Sequence, residues 1–201
     1  MPMYIESKKR EVFKFLVDRV EQKLQSWRMQ NISKAGKITL LKSAAQAVPN
    51  FWMQLFLIPQ ITCDAIEKRM NSYWWGSGTN GRGIKWMSWS RLAEVKEGGG
   101  LGFKKLREFN LAMIAKQAWR LLNNLNPLVT TIMKARYYRD TDFLNANLGV
   151  NPSYTWRSIM VVQENMKQGS RRKIIDGQDT RVWKVPWLPC RDNGYVTIEE
   201  Y

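Results

Sequence analysis

Side chains that could hold a metal ion or act in acid–base catalysis are few in this 201-residue chain. Histidine, the commonest general base and transition-metal ligand, is absent, and the two cysteines, Cys63 and Cys190, are far apart. A structural zinc site needs four such ligands. The carboxylates that lie close together in sequence are Asp140 with Asp142, and Asp176 with Asp179. Turn formation and capping explain both pairs better than metal chemistry does. We therefore expect no catalytic residue, no metal and no cofactor.

Basic side chains are the strongest chemical signal. The chain has 32 Lys plus Arg against 17 Asp plus Glu, a formal charge of +15, which favours a polyanionic partner, first of all nucleic acid. Most of the close-set cations form five clusters: Lys8, Lys9 and Arg10; Lys34, Lys37 and Lys42; Lys104, Lys105 and Arg107; Lys134, Arg136 and Arg139; and Arg171, Arg172 and Lys173. One such cluster is usually a solvated face, but five in one chain favour a distributed surface that grips the phosphate backbone without reading bases.

The cluster at 34–42 carries the most specific expectation. Ser33 is a good N-cap for a helix, and helical spacing places Lys34, Lys37 and Lys42 on one exposed side of it. Free amides and the positive end of the helix dipole favour phosphate at a helix N-terminus.

Ten tryptophans are the most ambiguous feature. Those in periodic or apolar contexts, which we expect to be mainly core, are Trp27, Trp86, Trp89, Trp119 and Trp156. Trp74 and Trp75 adjoin a stretch rich in Gly and Ser and are expected to be the most exposed, although a core role is slightly favoured for them too. An exposed aromatic ring beside cations can stack on a base, which contributes ~1–3 kcal/mol.

A glycine run at 98–102 has the spacing of no phosphate-binding motif, and it predicts a tight turn before a long helix, whose amides could still touch a phosphate.

Apolar spacings of three and four residues predict a mainly α chain. The predicted helices cover 13–27, 34–48, 51–57, 60–75, 90–95, 106–123, 127–136 and 153–169, and a β-hairpin is predicted at 171–183, around Asp176-Gly177. No apolar run reaches the roughly 20 residues of a membrane span, and the N-terminus lacks a signal-peptide pattern. We expect an intracellular protein, nuclear or cytoplasmic, without a membrane partner.

The order of several motifs resembles the reverse transcriptases of plant LINE-type (non-LTR) retrotransposons. The matching stretches are SKAGKITLLKS at 33–43, WWG at 74–76, IKW at 84–86, GGGLGF at 98–103, FNLA at 109–112, KQAWR at 116–120, NPSYTWRS at 151–158 and VWKVPWLP at 182–189. The resemblance covers nearly the whole chain.

This resemblance implies a helical thumb-like domain at 1–76, a helical connector at 77–169, and a hairpin and tail at 170–201. The polymerase aspartates would precede Met1, and the zinc-binding and ribonuclease H-like segments would follow Pro189. We therefore expect a non-catalytic fragment that grips RNA or an RNA–DNA hybrid through the basic residues at 8–10, 34–42, 104–107 and 171–173, with Trp74 and Trp75 beside them. The alternative is a domesticated scaffold protein, whose protein partner would bind an apolar patch around Phe51, Trp52, Trp74 and Trp75.

Overall fold

The computed structural model describes residues 9–76, 83–125, 127–171, 173–174, 177 and 186–188, apart from the side chains of Lys9 and Arg10. Its α-helices are α1 (Lys9–Val12), α2 (Lys14–Arg28), α3 (Lys34–Leu40), α4 (Asn50–Leu55), α5 (Gln60–Trp75), α6 (Trp89–Leu92), α7 (Leu106–Leu122), α8 (Pro127–Tyr137), α9 (Tyr154–Met160) and α10 (Gln163–Gly169). A π-helical turn spans Leu41–Ala45, and 3-10 turns span Lys96–Gly98 and Phe143–Asn145. The fold is mainly helical, as predicted. Most of the predicted hairpin lies outside the described residues.

A first hydrophobic cluster forms where α2 packs against α5. Leu16, Val20 and Leu24 recur every four residues of α2 and are fully buried, because this spacing keeps them on one side of the helix. Ile66 and Met70 of α5 are also fully buried and belong to the same cluster. The sequence pattern of the first predicted helix is therefore confirmed.

A second hydrophobic cluster surrounds Trp156 of α9. The Trp156 ring is fully buried and stacks on Tyr137 at 4.7 Å and on Tyr138 at 5.6 Å between ring centroids. The buried amide of Gln163 donates to the carbonyl oxygens of Phe143 and Ala146, at 2.7 and 2.9 Å. These bonds attach α10 to the 3-10 turn at 143–145.

Helix α7 belongs to both clusters. Leu106 at its N-terminal end is buried in the first cluster, whereas Ile114, Ala118 and Leu121 are buried in the second. The division of the chain at residues 76 and 169 stays a prediction. Among the described helices, none combines the length and the apolar character needed to cross a membrane.

Residues 56–58 between α4 and α5, here called the link, are held by side chains from other helices. Ile58 N donates to Asn110 Oδ1 at 2.8 Å, and Asn110 Nδ2 donates to the carbonyl oxygens of Met53 and Phe56 at 2.8 and 3.0 Å. Leu57 N donates to Ser158 Oγ at 2.9 Å. Asn110 is fully buried. Its side chain supplies hydrogen-bond partners to backbone groups that have none within a helix or sheet.

Tyr154 and Arg107 complete the hold on the link. The Tyr154 hydroxyl donates to the Leu57 carbonyl oxygen, and the Arg107 guanidinium donates to the Ile58 carbonyl oxygen at 3.0 Å. Two of the sequence motifs, at 109–112 and 151–158, therefore supply side chains that fix this part of the backbone.

Two helix predictions differ from the structure. The predicted helix at 34–48 changes at Leu41 into a π-helical turn, in which Gln46 N donates to the Leu41 carbonyl oxygen at 3.0 Å. The predicted helix at 153–169 is two helices, because the chain turns at residues 161–162 so that α10 can pack on the 3-10 turn at 143–145. Ser153 caps α9 as predicted and accepts from Trp156 N at 3.2 Å.

Candidate nucleic-acid interface

The N-terminal end of α3 meets the C-terminal end of α5. Ser33 caps α3 as predicted, accepting from Gly36 N at 3.2 Å. Lys34 Nζ donates to the Trp74 carbonyl oxygen at 3.2 Å, and Lys37 Nζ donates to the Gly76 carbonyl oxygen at 2.7 Å. The last carbonyls of a helix lack intrahelical partners and carry the negative end of its dipole. These two lysines therefore help to cap α5, a role that the sequence did not reveal.

Lys34, Lys37 and Lys42, here called the lysine row, lie over aromatic rings. Lys34 Nζ is 4.8 Å from the centroid of the Trp74 ring and 5.8 Å from that of Trp75. Lys37 Nζ is 5.3 Å from the Tyr73 ring. Such contacts attract a cation to the face of the ring and hold it in position.

Lys42 joins the row from the π-helical turn. Its Nζ lies 5.8 Å from the ring of Phe103, whose centroid is 6.2 Å from that of Trp74. Lys42 is half-buried, as is Lys37, and Lys34 is exposed. The structure thus brings the three predicted lysines onto neighbouring rings.

Trp74 and Trp75 form part of the floor beneath these lysines. Trp74 is only 8% exposed and belongs to the first hydrophobic cluster, which agrees with the core role that was slightly favoured for it and not with exposure beside the stretch rich in Gly and Ser. Trp75 is half-buried, and its Nε1 donates to the Met87 carbonyl oxygen at 3.3 Å. Neighbouring elements cover the two rings because residues 87–103 fold back over the end of α5, so that Phe103 packs on Trp74.

The charge of the lysine row is uncompensated among the described residues. No described carboxylate forms an ion pair with it, whereas the nearby Arg28 and Arg69 both pair with Glu21, at 3.7 and 3.0 Å. Partial burial lowers the pKa of Lys37, and repulsion from Lys34 and Arg28 lowers it further. A bound anion would relieve this repulsion. A lysine ammonium has three donors, so Lys34 and Lys37 keep donors for a phosphate after bonding α5.

The predicted cluster at 104–107 is used mainly within the fold. Lys104 Nζ lies 3.8 Å from the centroid of the Phe109 ring, and Arg107 is the residue that holds the Ile58 carbonyl. Lys105 is exposed. Glu67 accepts from Leu106 N at 2.6 Å beside this cluster, and desolvation raises its pKa. Of the three cations, Lys105 is therefore the most accessible to a ligand.

Arg171 and Lys173 lie elsewhere, beyond the C-terminal end of α10, and both are exposed. Arg171 Nη1 donates to the carbonyl oxygens of Gln168 and Ser170. Of the remaining predicted site residues, Lys8 and Arg172 fall outside the described residues, as do the side chains of Lys9 and Arg10.

The glycine run at 98–102 forms a turn whose amides bond within the chain. Gly100 N donates to the Val95 carbonyl oxygen at 3.1 Å, and Gly102 N to that of Glu94 at 2.8 Å. A Cβ on Gly100 would lie 2.1 Å from the Glu94 carbonyl oxygen, and Gly102 has a φ of +66°. The predicted tight turn is confirmed. The amides of Gly98 to Gly100 and of Gly102 already have backbone acceptors and do not form a phosphate cradle.

Two tryptophans that were expected in the core are exposed. Trp86 is 75% exposed and Trp119 45% exposed, whereas Trp89 and Trp156 are buried and Trp27 is half-buried. Trp119 lies one position, and about 100° around α7, from the buried Ala118. The prediction was wrong for these two residues. For Trp119 the reason is that periodicity does not show how much of a helix its neighbours cover, whereas Trp86 lies before α6, outside any helix.

The closely spaced carboxylates and the apolar patch around Phe51 are two further features singled out in the sequence. Asp140 and Asp142 are exposed, and no three His, Cys, Asp or Glu side chains in the described part of the chain could hold a metal together. Asp176 and Asp179 lie outside the described residues.

The apolar patch of the scaffold alternative is largely absent, because Trp74 is buried and Trp52 half-buried, which leaves Phe51 as its exposed member.

Comparison with known proteins gives two relatives from Arabidopsis thaliana. The chain is 36% identical over 143 residues to "Uncharacterized mitochondrial protein AtMg00310", a match that covers 71% of this chain and 93% of that protein. It is 29% identical over 204 residues to "Putative ribonuclease H protein At1g65750", a match that covers 96% of this chain and 33% of that protein, so the chain spans about a third of this longer relative. No protein-family model and no solved structure matches the chain. Since it covers nearly all of AtMg00310 at this identity, the chain belongs to the same protein family as AtMg00310.

Proposed function

We propose that this chain is a retroelement-derived fragment, the thumb and connector of a LINE-type reverse transcriptase, which binds RNA or an RNA–DNA hybrid and carries no catalytic group of its own. The order of the motifs supports this origin. So does the match of almost the whole chain to one third of a protein named for ribonuclease H.

The lysine row is the observation that carries the binding proposal. Three ammonium groups lie on neighbouring aromatic rings, and no described carboxylate forms an ion pair with them. Two of them already bond the C-terminal end of α5, so their positions are set before a ligand arrives. Preset cations lose little side-chain entropy on binding, which favours a phosphate backbone as the ligand.

Salt dependence tests this proposal. Three phosphate contacts on a duplex give a slope of log K against log salt of about −2.7, so affinity should fall roughly 40-fold between about 50 and 200 mM salt. Fluorescence anisotropy with a labelled RNA–DNA hybrid measures it. An affinity that does not change over this range would contradict the proposal.

A matched pair of variants locates the contact. Lys42→Gln should reduce the magnitude of the salt slope by about 0.9, because it removes one phosphate contact. The fold should stay intact, because Lys42 contacts the Phe103 ring and its ammonium forms no hydrogen bond with the described residues. Lys23→Gln, at an exposed position of α2, removes the same charge and should leave the slope nearly unchanged. Equal slopes in the two variants would exclude the lysine row as the binding surface.

A further inference from the structure

A cleft of about 990 Å³ lies on the second hydrophobic cluster, away from the lysine row. Its walls come from the C-terminal end of α7, from α8, from the 3-10 turn at 143–145, and from Lys167, Ser170, Arg171 and Lys173. This volume is at the upper end of the range of about 300–1,000 Å³ for small-ligand sites. One or two nucleotides fit such a volume, and a double helix does not.

The cleft is strongly basic. Lys134, Lys167, Arg171 and Lys173 line it, and among the described residues of its lining Asp142 is the one carboxylate. Lys134 and Lys173 are exposed, and their ammonium groups form no ion pair or hydrogen bond with any other described residue. These are the properties of a site for two or more phosphates.

An accessible aromatic ring stands at the same cleft. Trp119 is 45% exposed, and neither its ring nor its Nε1 has a partner among the described residues. A large ring left open beside cations is suited to stack on a base.

Two hydroxyl groups in the cleft lack partners. The Tyr138 hydroxyl and the Thr130 hydroxyl are buried, and neither forms a hydrogen bond with the described residues. Tyr138 as a whole is only 6% exposed. A buried hydroxyl without a partner costs free energy, and the polar edge of a base or a sugar hydroxyl would satisfy it.

We propose that this cleft binds an unpaired stretch of polynucleotide, with a base stacked on Trp119 and the flanking phosphates on Lys134 and Lys173. The inference rests on the proposed nucleic-acid function and adds a second site that prefers single strands. An unpaired ligand is required because the bases of a duplex already stack on each other and offer no free face to the indole.

Fluorescence anisotropy of the full chain with labelled 12-nucleotide probes tests the proposal. The probes are an oligouridylate, an oligothymidylate and a 12-base-pair duplex, so that RNA and DNA sources of the same chemistry are distinguished. Trp119→Leu should weaken single-strand binding roughly 5- to 160-fold, the equivalent of ~1–3 kcal/mol of stacking, and leave the salt slope unchanged, because stacking releases no counterions. Trp86→Leu, which removes an exposed indole outside the cleft, should change affinity less than about twofold.

Charge variants give an independent measurement. Lys134→Gln with Lys173→Gln should reduce the single-strand salt slope by about 1.4, at roughly 0.7 per phosphate contact. Lys23→Gln with Lys96→Gln, two exposed lysines outside the cleft, is the charge-matched control. Both charge variants and Trp119→Leu change exposed side chains, and their melting temperatures should stay close to that of the wild type.

The outcomes separate the two proposals. If the wild type binds nucleic acid but Trp119→Leu and the Lys134, Lys173 double variant match their controls, the cleft is not a site, while the proposed function stands. If the wild type binds none of the probes and no hybrid, both proposals are overturned. If Trp119→Leu and the Lys134, Lys173 double variant lose single-strand binding but retain hybrid binding, two separate sites are supported.

Discussion

Replacing Asn110 should destabilise the whole fold, because its side chain serves three buried backbone groups. Asn110→Ala leaves Ile58 N without an acceptor, at ~1–3 kcal/mol for a buried unpaired donor. It also removes one bond each from the Met53 and Phe56 carbonyls, at ~0.5–1.5 kcal/mol apiece. The sum is about 4 kcal/mol. A chain of this size loses roughly 2–4 °C of melting temperature per kcal/mol, so we expect a fall of about 8–16 °C.

Urea denaturation followed by circular dichroism measures this change, and a second variant separates hydrogen bonding from volume. Asn110→Leu fills the site without forming the three bonds and should cost about as much as alanine. Asn165→Ala, at an exposed position of α10, should stay within about 0.5 kcal/mol of the wild type. If Asn110→Leu were as stable as the wild type, the link would not depend on these hydrogen bonds and our account of it would be refuted.

Three further predictions concern single side chains. Ser158→Ala should cost ~1–2 kcal/mol in urea denaturation, because Leu57 N loses its acceptor, and an unchanged midpoint would contradict the bond. Protonated Lys37 destabilises the fold below its lowered pKa, and this cost disappears as pH rises towards 10.5. The unfolding free energy of the wild type should therefore rise relative to that of Lys37→Met over this interval, and a parallel pH dependence would refute the assignment. Burial raises the pKa of Cys63 to about 12, so in a Cys190→Ser background iodoacetamide should react at pH 8 only as fast as the chain unfolds, whereas rapid native labelling would show an accessible thiol.

Local chemistry allowed most of the helices to be predicted from the sequence. Ser33 and Ser153 cap α3 and α9 as expected, and Pro59 precedes α5. The apolar spacing of α2 identified its buried face. These signals act within a few residues, so they do not depend on how the helices pack.

Tertiary packing decided what the sequence could not predict. Lys34 and Lys37 were expected on one exposed side of their helix, but nothing local indicates that the C-terminal end of α5 lies against them and leaves Lys37 half-buried. Trp89 and Trp119 were both expected in the core from their sequence contexts, yet of the two only Trp89 is buried. The Phe103 ring stacks on it, with 4.8 Å between ring centroids. The cleft beside Trp119 is built from segments that are up to about 70 residues apart, and nothing local in the sequence indicates that they come together.

The link has a consequence for hydrogen exchange. The Leu57 and Ile58 amides are neighbours in the chain, yet one donates to a hydroxyl on α9 and the other to a side-chain carbonyl on α7. Each amide exchanges with solvent only after its own acceptor moves away. Two consecutive residues therefore report separately on the detachment of two helices, and the difference between their protection factors measures how far α9 can open while α7 stays in place.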